Sequence, residues 1–260
     1  MNSNPIIGAD ELRTIVGFED LIEPVSAAFQ QTSQRRAENG LLVAARVLAP
    51  QKVRVATVLG SGVQAYWQPQ ALFRERPFET LLIWARDPDK AENLVQRLRP
   101  VLPTVDIHVE SNLEAAVRRS EVLITATLAR EPLVRGEWLS PGQHFTAVGA
   151  DDPMKCELDA VALQRARVFV DSLEAAETNG DVSRAIQSGV YAISDVAGEL
   201  GEVLAGTRIG RHSPIDITVA KFVGLGAQDL VAAEVSLERL RIGGNRPVKG
   251  NRETLLEAAV

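Results

Sequence analysis

Two spacings of hydrophobic residues divide the chain into parts. Apolar residues recur every three or four positions in residues 9–34 and again in residues 41–49, which predicts helices there, the second stopped by Pro50. From residue 53 onwards, short β-branched apolar runs alternate with amphipathic helical segments. That alternation is typical of a parallel sheet with helices on both faces. The sequence therefore predicts an α/β fold with a doubly wound parallel sheet.

The same pattern gives the bounds of the predicted elements. Strands are predicted at residues 54–59, 80–85, 105–109, 122–125, 145–148 and 167–170, and a late apolar run adds one at residues 215–219. Helices are predicted at residues 91–98 and 113–118, with a final helix at residues 227–240. We expect residues 51–220 to form the sheet domain, with residues 1–50 and 221–260 supplying helices outside it.

Composition and charge narrow the classes of function. The chain has 260 residues, 45% apolar and 24% charged, a globular balance that excludes a disordered protein. Its 28 Lys and Arg against 34 Asp and Glu give a net charge of −6 without a basic run, so we expect no nucleic-acid partner. The three histidines lack metal-ligand spacing, so we expect no metal. The single cysteine, Cys156, excludes an intrachain disulfide.

The expected compartment follows from what the sequence lacks. No apolar run approaches the roughly 18–20 residues that span a bilayer, and residues 1–9 do not have the layout of a signal peptide. A single cysteine fits a reducing compartment. The sequence therefore predicts a cytoplasmic protein without a membrane partner.

A glycine-rich turn directly follows the first predicted strand and precedes a helix. In GSGVQA, Gly60 makes the tight turn, Gly62 lets the backbone approach a pyrophosphate, and Ala65 allows close packing of helix on strand. The free N–H groups and the dipole at the helix start would hold the phosphates. The candidate cofactor contacts in this loop are Gly60, Ser61, Gly62, Val63 and Gln64. The alternative is a plain strand-to-helix turn of an α/β domain.

The end of the second predicted strand bears on the choice of dinucleotide. An acid there would bind the ribose hydroxyl of NAD, whereas an arginine would accept the 2′-phosphate of NADP. Here the candidate contacts are Trp84, Ala85, Arg86 and Asp87. Because Arg86 comes first, the sequence favours NADP, with NAD as the alternative. Asp87 would either serve the ribose or cap the helix begun by Pro88, and Arg86 has the alternative of a solvated surface charge.

Ligands of such sheets bind outside the carboxyl ends of the strands, where three further segments fall, after the fourth and fifth predicted strands and at Asp171 after the sixth. Small residues in the first two leave room for a nicotinamide ring, and the candidate contacts are Thr125, Ala126, Thr127, Val148 and Gly149. Asp151 is the carboxylate that a strand end places beside this ring. It is therefore our candidate for proton transfer or for binding a substrate amine. The alternative is a helix N-cap by Asp151 or Asp152 before Pro153.

From about residue 41 to residue 240, the chain resembles the ornithine cyclodeaminase and mu-crystallin family. The matching segments are GSGVQA at 60–65, IWARDPDKAE at 83–92, EVLITAT at 121–127, EWLSPGQHFTAVGADDPMKCELD at 137–159, RARVFVDS at 165–172, GELGEVLAG at 198–206 and DITVAKFVGLGAQDLVAAE at 216–234. The resemblance implies a Rossmann domain that binds NAD(P), joined to a second domain that binds substrate and forms a homodimer. It also implies that Asp151 is the catalytic aspartate, in a segment where Met154 replaces the usual glycine.

The resemblance also identifies two departures from the family pattern. Lys221 and Phe222 lie in the segment that closes over the nicotinamide side, where other residue pairs are expected, and Lys221 is a candidate cofactor contact. The β-rich stretch that gives the family its substrate-binding lysine and arginine has no counterpart between the first helices and residue 41. We therefore expect a truncated second domain.

Three functions remain open at this point. The first is an NAD(P)-dependent oxidoreductase that acts on an amino acid or on its imine or ketimine. The second is an ammonia-lyase of the cyclodeaminase type that uses catalytic NAD. The third is a protein that binds NADPH or another ligand without turnover.

Overall fold

A computed structural model describes residues 41–224 of the chain. Its strands are β1 (Val55–Leu59), β2 (Thr80–Trp84), β3 (Asp106–Val109), β4 (Val122–Thr125), β5 (His144–Ala147), β6 (Arg167–Val170), β7 (Gly198–Glu199) and β8 (Thr218–Lys221). They form one sheet in the order β3-β2-β1-β4-β5-β8-β6-β7, and every neighbouring pair is parallel. The predicted doubly wound parallel sheet is confirmed.

Helices connect the strands and cover the sheet. They are α1 (Leu41–Leu48), α2 (Val63–Glu75), α3 (Pro88–Leu98), α4 (Leu113–Arg119), α5 (Ala160–Arg165), α6 (Leu173–Thr178), α7 (Gly180–Gln187) and α8 (Leu200–Leu204). Two short 3-10 turns lie at Gly136–Trp138 and Ile193–Asp195. The helices predicted at residues 9–34 and 227–240 lie outside the described residues. Within residues 41–224, no helix is long and apolar enough to cross a membrane.

The central strands of the sheet are buried on both faces, as the apolar runs predict. Leu81, Leu82 and Ile83 follow one another in β2, and each is 0% exposed. All four residues of β4 and of β5 are also buried. A sheet with one face in solvent would show alternation instead. On one side, Leu94 and Leu98 of α3 pack in the same cluster as Leu81 and Ile83.

The last predicted strand is wrong in its position. The sequence places it at residues 215–219, but β8 runs from Thr218 to Lys221. The Asp216 carboxylate accepts the N–H groups of His212 at 2.7 Å and Ser213 at 3.2 Å, which closes a turn before the strand. Ile215 is 72% exposed, so its β-branched side chain is no part of the sheet. The other six predicted strands agree with the structure to within one residue at either end.

The strand order fixes where a ligand would bind. The chain moves outward from β1 to β2 and β3, then returns to β4 on the other side of β1. This reversal leaves a crevice at the carboxyl ends of β1 and β4, the usual ligand position in open α/β sheets. Gly60 follows β1 and Ala126 follows β4, so the glycine loop and the loop after β4 border that crevice.

Candidate functional site

Gly60 is required by the protein's own packing. Its φ is +130°, a conformation that side chains other than glycine rarely adopt, and its N–H donates to the Trp84 carbonyl at 2.8 Å. A Cβ at this position would lie 2.3 Å from the carbonyl oxygen of Ala126. The first turn of the glycine loop therefore contacts the loop after β4 directly.

Gly62 is different, because a Cβ there would meet nothing within 4 Å. Its φ of −85° is open to any residue, and it caps α2 without a side-chain hydrogen bond. The first N–H groups of a helix have no intrahelical acceptor, and Val63 and Gln64 beside them are exposed. Ala65, by contrast, is 0% exposed and packs in the core. The helix start is therefore an open cradle of donors that suits a pyrophosphate.

Arg86 and Asp87, the two residues after β2 that bear on the choice of cofactor, differ in their contacts. Asp87 caps α3, since its Oδ1 accepts the N–H groups of Asp89 at 3.1 Å and Lys90 at 3.3 Å. Its Oδ2 lies 3.7 Å from the Lys90 ammonium. The guanidinium of Arg86 is exposed and forms no hydrogen bond or ion pair within residues 41–224. The capping role that the sequence left open for Asp87 is therefore the observed one.

The indole of Trp84 and the methyl of Ala85 are half-buried at the same strand end, beside Arg86. Thr125 is 0% exposed, while Ala126, Thr127, Val148 and Gly149 are half-buried. A Cβ on Gly149 would lie 2.3 Å from the Thr127 carbonyl oxygen, so the loops after β4 and β5 touch there. The structure thus places the predicted contacts, other than Lys221, along one edge of the sheet.

Asp151 lies on the surface of this edge. Its Oδ1 is 2.5 Å from the ammonium of Lys155, which is also 3.6 Å from Asp152. The hydrogen bond to Asp151 raises the pKa of Lys155, so the ammonium stays charged. Asp152, not Asp151, closes the turn after Pro153, because its Oδ1 accepts the Met154 N–H at 2.7 Å. The carboxylate of Asp151 is therefore half exposed and paired with the Lys155 ammonium.

Glu157 is the residue of this site that the sequence analysis missed. It is 0% exposed, and its Oε1 accepts the Thr127 N–H at 2.7 Å and the Thr127 hydroxyl at 2.8 Å. Its Oε2 accepts the Thr125 hydroxyl at 2.7 Å and the Gly149 N–H at 2.9 Å. The available signal was an acid between two buried apolar residues, Cys156 and Leu158.

Lys221 points into the interior and not into the crevice. Its side chain is 0% exposed, and its ammonium donates to the carbonyls of Ala150 at 2.6 Å and Phe222 at 2.9 Å. The third direction faces Asp181 Oδ2 at 3.3 Å, an ion pair without hydrogen-bond geometry. In this position Lys221 has no donor left for a cofactor, so its placement differs from the one expected from the resemblance.

Buried carboxylates beneath the loops share this one ammonium. Burial and the charge of Asp181 raise the pKa of Glu157, whereas Lys221 and the Thr125 hydroxyl act in the opposite direction. Asp171, at the end of β6, is also buried, and burial raises its pKa. The site therefore lies above a layer of buried ionisable groups, namely Glu157, Asp171, Asp181 and Lys221.

His144 and Cys156 are buried, and their surroundings indicate a role in the fold and not in a reaction. Burial lowers the pKa of His144 to about 3, and its ring nitrogens bond the hydroxyls of Thr218 and Thr146. Burial raises the pKa of Cys156 to about 12, which removes it as a nucleophile at neutral pH. Within residues 41–224, no group of three or more His, Cys, Asp or Glu side chains is arranged to hold a metal.

Comparison with known proteins decides the family. The sequence model of the ornithine cyclodeaminase/mu-crystallin family matches residues 25–244. The chain belongs to this family. Its sequence is 41% identical over 209 residues to an uncharacterised cyclodeaminase of Sinorhizobium fredii, covering 80% of this chain and 62% of that relative. The chain therefore spans less than two thirds of the relative's length.

Two solved structures of enzymes that bind NADH or NAD are similar to this chain in fold. One is Δ1-pyrroline-2-carboxylate reductase of Thermococcus litoralis in complex with NADH and L-proline, at a TM-score of 0.75 and 28% identity, covering 85% of this chain and 66% of that one. Another is an archaeal alanine dehydrogenase dimer with bound NAD, at a TM-score of 0.73 and 32% identity, covering 85% and 65%. The resemblance read from the sequence motifs is confirmed.

Proposed function

We propose that the chain carries the dinucleotide-binding part of an NADP(H)-dependent oxidoreductase that acts on an amino acid or on its imine or ketimine. The observation that carries the proposal is the open cradle at Gly62, beside an edge loop that presents the Asp151 carboxylate. The strands that lead to these two loops, β1 and β5, are separated by β4 alone. Their ends therefore lie two strand spacings apart, about 10 Å. The NADH and L-proline bound by the Thermococcus litoralis relative support this assignment.

The state of the residues after β2 supports NADP over NAD. The Asp87 carboxylate is engaged by two backbone N–H groups and by Lys90, whereas the Arg86 guanidinium is exposed at the adjacent position. An arginine can bind the 2′-phosphate of NADP through paired hydrogen bonds. The solved relatives described above hold NADH or NAD. The proposed preference for NADP therefore rests on the residues of this chain and not on those relatives.

The residues of the chain have separate tasks in this reaction. The nicotinamide supplies the hydride chemistry when the cofactor is bound. The first turn of α2 binds the phosphates, and the loops after β4 and β5 orient the ring. Asp151 takes the proton from the substrate amine on oxidation and returns it on imine reduction. Lys155 orients the Asp151 carboxylate by its contact with Oδ1.

The name of the Sinorhizobium fredii relative favours a second candidate, cyclodeamination. The two activities differ in stoichiometry, because a reductase changes the absorbance at 340 nm with every turnover. A lyase releases ammonia without net change of the cofactor. Binding of NADPH with neither signal, across a screen of amino and imino acids, would instead support a binding protein without turnover.

The experiment for Asp151 separates chemistry from binding. We expect Asp151→Asn to lower kcat by about 10²–10⁴-fold, the usual contribution of a general acid or base. The dissociation constant of NADPH should stay within about twofold, since the amide has nearly the same shape. The matched control is Asp106→Asn, an exposed carboxylate at the start of β3 and thus at the other edge of the sheet. Equal kcat in Asp151→Asn and wild type would refute the assignment.

We also propose a homodimer in which the second domain completes the substrate site. The archaeal alanine dehydrogenase relative is described as a dimer with bound NAD. Sedimentation of the purified chain with NADPH tests this, and a monomer over the whole concentration range would contradict it. The cytoplasmic location stays a prediction from the sequence.

A further inference from the structure

The Glu157 carboxylate is used completely by the protein. Four donors from two loops occupy its two oxygens, and the side chain is 0% exposed. It therefore has no free acceptor position for a substrate and no contact with bulk water. A role in proton transfer at the surface is excluded by this geometry.

The same layer of buried ionisable groups holds the backbone next to Asp151. Glu157 binds the Gly149 N–H, and Lys221 binds the Ala150 carbonyl, so both residues before Asp151 are fixed from below. Asp181 in turn accepts the N–H groups of Glu157 at 2.6 Å and of Leu158 at 2.9 Å. Asp181 thereby fixes the segment that carries the Glu157 side chain.

The loops after β4 and β5 approach so closely at Gly149 that this position has no room for a side chain. A Cβ on Gly149 would lie 2.4 Å from Glu157 Oε1 and 2.4 Å from the Thr127 nitrogen. The Glu157 carboxylate is therefore the wedge that sets the distance between the loops after β4 and β5. Burial of charged groups is a poor source of stability by itself, and apolar residues fill a core as well. The contribution of the Glu157 carboxylate is to orient the loops, because each of its hydrogen bonds fixes the position of one donor.

We propose that Glu157 is a positioning residue, which spaces the loops at residues 125–127 and 148–150 for the nicotinamide half of the dinucleotide and sets the backbone of Asp151. The inference rests on the proposed dinucleotide function. In this arrangement Asp181 holds the backbone of Glu157, and Lys221 forms an ion pair with Asp181. Glu157 then acts on the cofactor only through Thr125, Thr127 and Gly149.

The test compares two ligands with the variant Glu157→Gln. The amide keeps the shape but turns an NH₂ group toward donors, so at least one of the four bonds is lost. We expect the dissociation constant of NADPH, followed by its fluorescence, to rise about tenfold, as for the loss of one hydrogen bond to a charged acceptor. Adenosine 2′,5′-bisphosphate, which lacks the nicotinamide half, should bind as tightly as to wild type. Amide exchange of Thr127 and Gly149 should accelerate about tenfold in the absence of any ligand.

Two further variants separate positioning from stability. Glu121→Gln is the matched control, because the Glu121 carboxylate joins strands at the amino edge by accepting the N–H groups of Arg54 at 3.2 Å and Val55 at 2.8 Å. It should lose stability without a change in NADPH affinity. Thr125→Val removes one donor to Glu157 with little change of shape, and it serves if Glu157→Gln does not fold. Thr125 is 0% exposed, so it reaches the cofactor only through Glu157. We expect Thr125→Val to weaken NADPH about threefold and to leave the fragment unaffected.

The outcomes are distinct. Unchanged NADPH affinity in Glu157→Gln and Thr125→Val would overturn the inference, and so would an equal loss for NADPH and the fragment, which indicates general damage to the fold. If wild type binds neither ligand, the proposed function fails. In that case amide exchange decides whether Glu157 holds the loops, since faster exchange confined to them supports it and unchanged exchange refutes it.

Discussion

The two glycines of the loop after β1 should respond in opposite ways to the same added methyl group. In Gly60→Ala the methyl would lie 2.3 Å from the Ala126 carbonyl oxygen, at a φ of +130°. In Gly62→Ala it would enter open space at a φ of −85°. The first change therefore tests the fold, whereas the second tests the cradle for the cofactor.

The structure gives a magnitude for each variant. For Gly60→Ala, backbone strain contributes about 1–3 kcal/mol and the forced contact about 1–3 kcal/mol, so the free energy of unfolding should fall by about 2–6 kcal/mol. For Gly62→Ala it should change by less than about 1 kcal/mol, the effect of a weaker N-cap. The methyl would occupy the space where the pyrophosphate must approach. We expect at least about tenfold weaker NADPH binding, or about 1.4 kcal/mol.

The assay is urea unfolding for stability and NADPH fluorescence titration for affinity, on both variants and wild type. Gly189→Ala is a control, because this glycine has open space around it but lies at the end of α7, away from the loop. Its φ of +75° strains alanine, so it reports a loss of stability without a loss of affinity. If Gly62→Ala bound NADPH as tightly as wild type, the cradle would not be the phosphate site.

Three further predictions concern the side chains of Arg86, His144 and Arg211. Arg86→Ala should weaken NADPH about tenfold or more while leaving NADH nearly unchanged, and equal losses in the two titrations would defeat the NADP assignment. The folded pKa of His144 is about 3 against 6.5 in the unfolded chain, so the unfolded state binds more protons in that window and stability falls as pH drops from 6.5 toward 3. Relative to His144→Gln, wild type should lose up to about 1.4 kcal/mol per pH unit there in urea unfolding, and parallel pH profiles would contradict this. The Arg211 guanidinium donates to the carbonyls of Leu48 and Gln143, and Arg211→Met removes these donors. We expect the free energy of unfolding to fall by about 2–4 kcal/mol, and an unchanged urea midpoint would show that these hydrogen bonds do not stabilise the fold.

The sheet could be predicted because its signal is local. Runs such as Leu81–Leu82–Ile83 are apolar at consecutive positions, which is what burial on both faces requires, and the glycine loop follows its strand immediately. The strand order β5-β8-β6 could not be predicted, because β8 comes from a part of the chain about 70 residues after β5. An exposed β-branched residue, Ile215, drew the predicted strand three residues too early.

Of the candidate site, only the residues at the surface could be predicted from the sequence. The positions of Asp151 and of the glycine loop follow from strand ends, which a sequence pattern marks. The role of Glu157 depends on donors 8 to 32 residues away, and that of Lys221 on a carbonyl 71 residues away. No periodicity encodes such pairings, so Lys221 was a candidate cofactor contact from the sequence although its side chain is buried in the structure.

The insertion of β8 between β5 and β6 has a consequence for the order in which the protein is made. As the chain leaves the ribosome, β6 emerges before β8, so the edge of β5 that β8 covers in the folded sheet is still unpaired when β6 becomes available. An unpaired parallel edge accepts any strand that fits, so a β5–β6 pairing is a natural trap. In the folded protein the Thr218 hydroxyl bonds His144 on β5 and the Leu48 carbonyl at the end of α1, so the pairing of β8 with β5 adds side-chain contacts to the backbone hydrogen bonds of the sheet. We expect pulse-labelled amide exchange to find the β5–β8 bonds among the last to gain protection; their early protection would show that no such trap is populated.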